Sequence, residues 1–235
     1  MNYSIIVPIY KEEKNISKLI HKIKKELKGK IVYELIFVDD DSRDQSKKIF
    51  NKYSNKNFKF YIRKDKPRDL SKSVVYGFDK SKYNNLIVMD GDLQHNPRDI
   101  LKFIKIFKKT KCDIVIGCRK LANCKKANLN PIRFIFSKSL NHVFNFIFNH
   151  KISDPMSGFF LVKKEVYNKV KKKLILLGYK ILIDIILSAK KNILIKEVKI
   201  NFSVRDKGFS KMRLKILLQL IIFIFIKYFK YEKKN

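Results

Sequence analysis

Two aspartates and a glutamine lie close together in VMDGDLQHN, at residues 88–96. Asp90 and Asp92 directly follow a short apolar run, Gln94 comes two residues later, and Gly91 between the aspartates is expected to allow a tight turn. Carboxylate and amide oxygens suit hard divalent cations, which keep coordination places for water and substrate phosphates. The pattern therefore predicts a metal site that binds a diphosphate. The alternative is a polar turn that only ends a strand.

Strand-like and helix-like segments alternate before this site and shortly after it. Short β-branched runs predict strands, and apolar residues three and four apart predict helices. The predicted strands are residues 3–7, 31–38, 58–62, 86–89 and 113–116, and the predicted helices lie within 9–27, 46–53, 69–81 and 98–108. Ser42 is expected to cap the second helix. The alternation predicts an α/β fold with an open, mostly parallel sheet and helices on both faces.

Polar residues follow four of the predicted strands. In open parallel sheets the carboxyl ends of the strands meet at one edge, and ligands bind there. We expect four segments from separate parts of the chain to share this edge: residues 8–12, 39–42, 90–94 and 117–119.

The first two of these segments each have two interpretations. Pro8, Tyr10 and Glu12 are either a strand stop followed by an acidic first helical turn, or a backbone wall, an aromatic face and a carboxylate that contact a nucleoside. Asp39 and Asp40 are either carboxylates at the start of the next helix, or acceptors for a nucleotide base or ribose. The edge shared with Asp90 favours nucleotide binding for Asp39 and Asp40, and both interpretations of the first segment stay open.

The net charge of +33 points to an anionic partner. The lysines are spread along the whole chain, and no recognisable nucleic-acid-binding module is present, so we expect no nucleic-acid partner. Arginine is scarce, and its planar fork suits phosphate. Arg119, Arg133 and Arg205 are therefore candidates for phosphate binding, and Lys211 is a weaker one.

Beyond residue 119 the predicted elements are helices at 132–149 and 178–190, a strand at 159–162 and one or two strands within 194–204. The last segment, 212–231, is apolar with basic ends, and its apolar run is shorter than the roughly 20 residues of a spanning helix. It favours an amphipathic helix on an anionic membrane surface over a core or partner-binding helix. The predicted division is a catalytic domain, 1–211, and a membrane-interface tail, 212–235. With no leader pattern and three cysteines typical of reduced thiols, we expect a peripheral or monotopic protein on the cytoplasmic face of the membrane.

Several segments together resemble one enzyme family. They are, in chain order, IVPIYKEEKNI, FVDDDSRDQS, LSKSVVYGF, VMDGDLQH, GCR, SDPMSGFF, GYKILIDI and KEVKINFSVRDKGFSK. The chain resembles the family 2 glycosyltransferases of the GT-A fold, and specifically polyprenyl-phosphate sugar synthases of the dolichol-phosphate mannose synthase type. The first and fourth segments are shared by many family 2 enzymes, whereas DPMSGFF, GYKIL and the R-x-x-G-x-SK pattern are more specific to the lipid-phosphate branch.

The resemblance implies a role for each matching position. Pro8, Tyr10, Glu12 and Asp39 would contact the nucleoside; Asp90, Asp92 and Gln94 would bind Mg²⁺ or Mn²⁺; Arg205 and Lys211 would contact the diphosphate; Arg119, Arg133 and Ser137 would hold the lipid phosphate. Departures from the family pattern are Asp41 for Gly or Asn, Cys118 for Ser, Asp184 for Glu, Lys199 for Pro, and Ser71-Lys72 in a loop that is often glycine-rich. None of these departures removes a predicted metal ligand. We therefore expect them to affect the choice of sugar donor more than the activity itself.

The expected reaction is transfer of a hexose, with mannose favoured, from a nucleotide sugar of the GDP-mannose or UDP-glucose type to a polyprenyl monophosphate, with inversion. Asp92 and Arg119 are the residues expected to carry the catalysis. One alternative is a family 2 transferase that acts on a sugar hydroxyl and needs a carboxylate base. Another is a basic membrane- or nucleic-acid-binding protein on a degenerate transferase fold, which the intact Asp90, Asp92 and Gln94 set argues against.

Overall fold

Seven strands in one sheet form the centre of a computed structural model that describes residues 1–119, 152–178, 180–189, 193–201, 222–223 and 225–227. The strands are β1 Asn2–Ile9, β2 Val32–Asp39, β3 Phe58–Ile62, β4 Asn85–Val88, β5 Ile114–Arg119, β6 Phe160–Lys163 and β7 Ile195–Ile200. The helices are α1 Glu13–Leu27, α2 Ser46–Asn51, α3 Leu70–Lys80, α4 Asp99–Thr110, α5 Lys164–Val170 and α6 Ile181–Ala189, with a 3₁₀ turn at Lys171–Lys173.

The strand order is β3-β2-β1-β4-β6-β5-β7. Neighbouring strands are parallel except at β6, which is antiparallel to both β4 and β5. The carboxyl ends of β1, β2, β4 and β5 therefore lie at one edge, and the chain enters β6 from that same edge. We call this the carboxyl edge. The expected α/β fold with a mostly parallel sheet is confirmed.

Both faces of the sheet are covered, as the continuous apolar strands require. Ile5 and Ile6 are neighbours on β1 but belong to two different core clusters, because successive side chains of a strand point to opposite faces. One cluster includes buried residues of α1, α2 and α4, and the other includes buried residues of α3, α5 and α6.

The predicted elements up to residue 119 are confirmed, with shifts of a few residues at their ends. Helix α5 was not predicted. It is short and contains lysine, and it buries only Val166, Tyr167 and Val170, so its apolar pattern in the sequence is weak. The predicted helix at 132–149 and the boundary between residues 211 and 212 lie outside the described residues. Among the residues that the structure describes, none forms a helix long and apolar enough to cross a bilayer.

Helix α3 packs closely on the sheet at Gly77. A Cβ atom at this position would lie 2.5 Å from Ile6 Cγ2 and 3.2 Å from Val38 Cγ2. We expect Gly77→Ala to lower the free energy of unfolding, because overpacking costs about 1–3 kcal/mol and this contact is too short to be offset by the gain of about 1 kcal/mol in helix propensity. Urea denaturation measures the change. Lys18→Ala, at an exposed position of α1, is the control and should stay within about 0.5 kcal/mol; equal stability of the two variants would contradict the packing argument.

Candidate active site

The four predicted edge segments do meet at the carboxyl edge. Backbone hydrogen bonds connect the ends of the strands from which three of these segments start. The Asp40 N–H donates to the Ile9 carbonyl at 3.0 Å, and the Met89 N–H donates to the Ile6 carbonyl at 3.1 Å. The loops after β1, β2 and β4 therefore start from fixed positions next to one another.

Asp90 and Asp92 follow β4 at the centre of this edge. Asp92 is buried, and its Oδ1 accepts the Gln94 N–H at 3.2 Å. The positive φ of the turn belongs to Leu93, at +66°, so the expectation that Gly91 supplies the turn was wrong. Gly91 is needed for packing instead, because a Cβ there would lie 2.6 Å from Ile9 Cγ2.

His95 holds the backbone of Asp90. Its Nδ1 accepts the Asp90 N–H at 3.1 Å, and its ring stacks on Phe159 with 4.8 Å between the ring centroids. Burial lowers the pKa of His95 to about 4, so at neutral pH the imidazole is uncharged and can accept this hydrogen bond. The position of His95 next to Gln94 in the sequence predicts a residue behind the metal corner or on the surface, and the structure shows the first of these.

The loop of residues 153–159, which leads into β6, contacts the same corner. A Cβ atom on Gly158 would lie 2.7 Å from Asp90 Oδ2, so this position has no room for a side chain unless Asp90 moves. Ser157 Oγ donates to the Gly117 carbonyl at 2.7 Å. The 153–159 loop is thereby fixed to β5 on one side and lies against Asp90 on the other.

The same loop also positions Arg119. The Arg119 Nε and one terminal nitrogen of its guanidinium donate to the two carboxylate oxygens of Asp154 at 2.6 and 2.7 Å. Asp154 is buried, whereas the Arg119 side chain is 33% exposed. Arg119 thus lies at the predicted edge with a fixed guanidinium plane, and Asp154, which sequence analysis did not single out, is the residue that orients it.

Asp39 lies at the end of β2, on the other side of the edge. Ser42 Oγ donates to Asp39 Oδ1 and itself accepts the Lys11 N–H at 2.8 Å. The expectation that Ser42 caps α2 was wrong, because Gln45 occupies the N-cap position. Burial raises the pKa of Asp39, and the two hydrogen bonds from Ser42 oppose this rise.

Tyr10 forms an aromatic wall beside Asp39 together with Arg68. The Arg68 guanidinium carbon lies 4.8 Å from the centroid of the Tyr10 ring. Its nitrogens donate to the carbonyls of Asp40 and Asp41, both at 3.1 Å. Sequence analysis did not single out Arg68, since nothing local indicates that it reaches Tyr10.

The predicted strand stop at Pro8 is wrong, because β1 continues to Ile9, whereas Glu12 does lie at the start of the first helix. Pro8 is buried within β1, and Glu12 precedes α1 at its N-cap, where Glu12 Oε2 accepts from Asn15 Nδ2 at 2.7 Å. Nucleoside contacts by these two residues stay predictions.

Asp40 is paired with Arg63 and stabilises the neighbouring loop. Both side chains are buried, and the Asp40 carboxylate also accepts the Asp69 N–H at 2.8 Å, just before α3. Arg63 donates in addition to the carbonyls of Asp65 and Pro67. Asp40 therefore connects β2 to the start of α3 and does not cap the helix that follows it. Burial raises its pKa, and the charge of Arg63 opposes this rise.

Four of the predicted site residues, Arg133, Ser137, Arg205 and Lys211, lie outside the described residues. Within the described part of the chain, no three His, Cys, Asp or Glu side chains converge as a metal-binding group. The predicted ligand set therefore depends on two carboxylates and the amide of Gln94. Cys112 and Cys118, the two described cysteines, are buried free thiols.

The family model for glycosyl transferase family 2 matches residues 4–171. The chain belongs to this family. It is 35% identical over 227 residues to the dolichol-phosphate mannosyltransferase of Pyrococcus furiosus, covering 96% of this chain and 63% of that protein. It is 30% identical to the dolichol-phosphate mannosyltransferase of Saccharomyces cerevisiae, covering 93% of this chain and 84% of that protein.

The solved structure of glucosyl-3-phosphoglycerate synthase from Mycobacterium tuberculosis, in complex with Mn²⁺, UDP-glucose and phosphoglyceric acid, has a similar fold. The TM-score is 0.73 at 15% identity, over 97% of this chain and 79% of that chain. This likeness confirms the expected GT-A fold and nothing finer.

The contribution of the Arg63–Asp40 ion pair to the stability of the fold can be tested by mutation. Arg63→Met removes the guanidinium and leaves a buried carboxylate, so we expect the free energy of unfolding to fall by about 3–5 kcal/mol at neutral pH. Urea denaturation measures the loss, and Arg63→Lys, which keeps the charge, should lose less.

The pH dependence of this loss checks its cause. Without Arg63, the pKa of Asp40 rises further above its unfolded value, so the folded protein binds the proton more tightly than the unfolded chain. Stability of Arg63→Met relative to the unaltered protein should therefore recover as the pH falls through the folded pKa. A loss that is the same at acidic and neutral pH would mean that packing, not charge, is responsible.

Proposed function

We propose that the protein is an inverting glycosyltransferase that moves a hexose, with mannose favoured, from a nucleotide diphosphate sugar to a polyprenyl monophosphate at the cytoplasmic face of a membrane. Family membership and the similarity to dolichol-phosphate mannosyltransferases support this. The observation that carries it is the 153–159 loop, which contacts Asp90 through Gly158 and Arg119 through Asp154. A candidate metal corner and a candidate phosphate-binding guanidinium are thus held by one short segment.

The residues at the metal corner fit a hard divalent cation. Asp90, Asp92 and Gln94 offer oxygen ligands, and Gly158 adds no side chain beside the Asp90 carboxylate. These three residues would hold Mg²⁺ or Mn²⁺. A bound ion of this kind neutralises charge that develops on a nucleotide diphosphate leaving group.

The nucleoside would lie on the other side of the edge. Asp39 offers a buried carboxylate, and the Tyr10 ring, with Arg68 against it, offers a flat wall. Pro8 and Glu12 would also contact the nucleoside, as the family resemblance implies. Arg205 and Lys211 would contact the diphosphate, as the family resemblance implies. The donor is of the GDP-mannose or UDP-glucose type.

The acceptor needs no protein base. A phosphate monoester has a second pKa of about 6, so it is largely a dianion at neutral pH. Arg119, oriented by Asp154, would position this dianion together with Arg133 and Ser137. A phosphate oxygen then forms the new bond to the anomeric carbon while the bond to the nucleotide diphosphate breaks on the opposite face. Positioning and charge neutralisation carry the catalysis.

Metal dependence is the first test of this function. We expect transfer of a radiolabelled sugar to membrane-extracted polyprenyl phosphate to stop on addition of EDTA and to return with Mn²⁺ or Mg²⁺. Asp92→Asn should lose about 100-fold or more, whereas Asp113→Asn, a carboxylate paired with Lys163 at the opposite edge, should stay active. An acid-labile lipid phosphate product is expected. Activity that survives chelation would refute the metal assignment, and an acid-stable product would favour a sugar-hydroxyl acceptor.

Gly158→Ala tests the space beside Asp90. The added Cβ would displace the carboxylate, so we expect a higher Mn²⁺ concentration for half-maximal activity and weaker Mn²⁺ binding by electron paramagnetic resonance in the presence of nucleotide. Gly29→Ala is the control: it has a positive φ of +73° but no atom within 4 Å of its added Cβ, so it should alter stability and leave Mn²⁺ binding unchanged. Equal Mn²⁺ affinity in the two variants would contradict the role of Gly158.

A further inference from the structure

Glu197 on β7 holds the first residue of the 153–159 loop. The Ser153 N–H donates to Glu197 Oε1 and Ser153 Oγ donates to Glu197 Oε2, both at 2.7 Å. Two hydrogen bonds to one carboxylate fix the orientation of Ser153 as well as its position. Ile152, the residue before it, is buried in the core cluster that includes Cys118. The loop therefore starts from a fixed point on the sheet.

The same carboxylate lies beside the end of β5. Burial raises the pKa of the Cys118 thiol, and the neighbouring charge of Glu197 raises it further. β7 is the last strand of the sheet and pairs with β5 in parallel, with Cys118 opposite Lys199. Glu197 is thus a point at which β7, the end of β5 and the start of the 153–159 loop meet.

The two residues beside Glu197 each precede one partner of the Arg119–Asp154 pair. Arg119 follows Cys118 on β5, and Asp154 follows Ser153 in the loop. The Arg119 N–H also donates to Asp154 Oδ2, at 3.4 Å, so the pair is bound through backbone and side chain. A shift of Ser153 would move the Asp154 carboxylate, and the plane of the Arg119 guanidinium would turn with it.

The other end of the loop has a separate attachment. Ser157 Oγ binds the Gly117 carbonyl, and Gly158 lies against Asp90. Glu197 contacts only the start of the loop, on the Arg119 side. Loss of Glu197 should therefore disturb Arg119 and leave the metal corner in place.

We propose that Glu197 is a positioning residue for the acceptor phosphate. By binding Ser153 it fixes the Asp154 carboxylate, and through Asp154 it sets the direction in which the Arg119 guanidinium faces a phosphate. This role rests on the proposed function, in which Arg119 binds the phosphate of the lipid acceptor. Glu197 and Ser153 are both exposed, so their hydrogen bonds contribute little to stability. A change in acceptor binding can therefore be told apart from a change in the fold.

The role is tested with a short, water-soluble prenyl phosphate, whose binding is measured by isothermal titration calorimetry and whose turnover is measured by sugar transfer. We expect Glu197→Ala to raise Kd and KM for this acceptor about tenfold, because Arg119 is no longer held in one direction. KM for the nucleotide sugar and the Mn²⁺ concentration for half-maximal activity should stay unchanged. Glu197→Gln should lose less, since its amide oxygen still accepts one hydrogen bond from Ser153.

Glu165→Ala is the matched control, because Glu165 is an exposed carboxylate that pairs with Lys169 on α5. It should bind and use the acceptor like the unaltered protein. Unchanged acceptor binding in Glu197→Ala, or an equal rise in KM for donor and acceptor, would overturn the proposal. A urea midpoint of Glu197→Ala well below that of Glu165→Ala would assign the carboxylate to the fold and overturn it too.

A double-mutant cycle with Asp154→Asn checks that Glu197 acts through Asp154. Asp154→Asn should itself weaken binding of the prenyl phosphate. In that background, Glu197→Ala should cause little further loss, because the group that it positions is already altered. Losses that multiply in the double variant would show an independent effect and would contradict the proposed role.

Failure of the proposed function has a different result. If the unaltered protein binds the prenyl phosphate but transfers no sugar to it, the proposed function fails, and the change in Kd still decides the role of Glu197. If the unaltered protein does not bind the prenyl phosphate, both proposals fail.

Discussion

The close approach of Gly158 to the Asp90 carboxylate is the constraint on which the candidate site depends. At position 158 of the 153–159 loop, only a residue without a side chain fits against Asp90, which follows β4. The loop can take this path because β6 runs antiparallel between β4 and β5, so the chain enters the sheet at the carboxyl edge. A parallel strand at this position would have placed the loop at the opposite edge.

Buried carboxylates recur along this edge of a strongly cationic protein, and each is held by specific donors. Asp40 has Arg63 and a backbone N–H, Asp154 has Arg119, and Asp39 has Ser42. Burial alone would favour the neutral acids. These donors offset that cost and fix the direction in which each oxygen points.

The contacts of Asp154 agree with a proposed reaction that needs no general base from the protein. Asp154 is occupied by both nitrogens of the Arg119 fork, so it serves as an orienting partner. The acceptor brings its own negative charge. In this proposal the protein supplies a fixed relation between two candidate phosphate-binding positions, through a short loop that is tied to β5 by Ser157.

Local patterns were sufficient for much of this. The β-branched runs and the helical spacing of apolar residues predicted the elements before residue 119, and the polar residues after each run predicted the shared edge. They failed where the deciding partner was distant in sequence. Ser42 was assigned to a helix cap although its Oγ accepts the N–H of Lys11, 31 positions away, and Gly91 was assigned to the turn although it packs on the distant Ile9. In both cases a residue with a familiar local use was taken by a tertiary contact.

The sequence by itself determined the family, the sheet and the residues that could bind a metal and phosphates, because residue type and short-range spacing encode these features. The tertiary structure alone decided that Asp154 orients Arg119 across 35 positions, that Arg68 lies on Tyr10, and that Lys227 is buried against Asp184. These are pairings between groups brought together by the order and direction of strands and by the packing of helices. No local pattern records them, since the energy that selects each pair comes from burying two partners at one place.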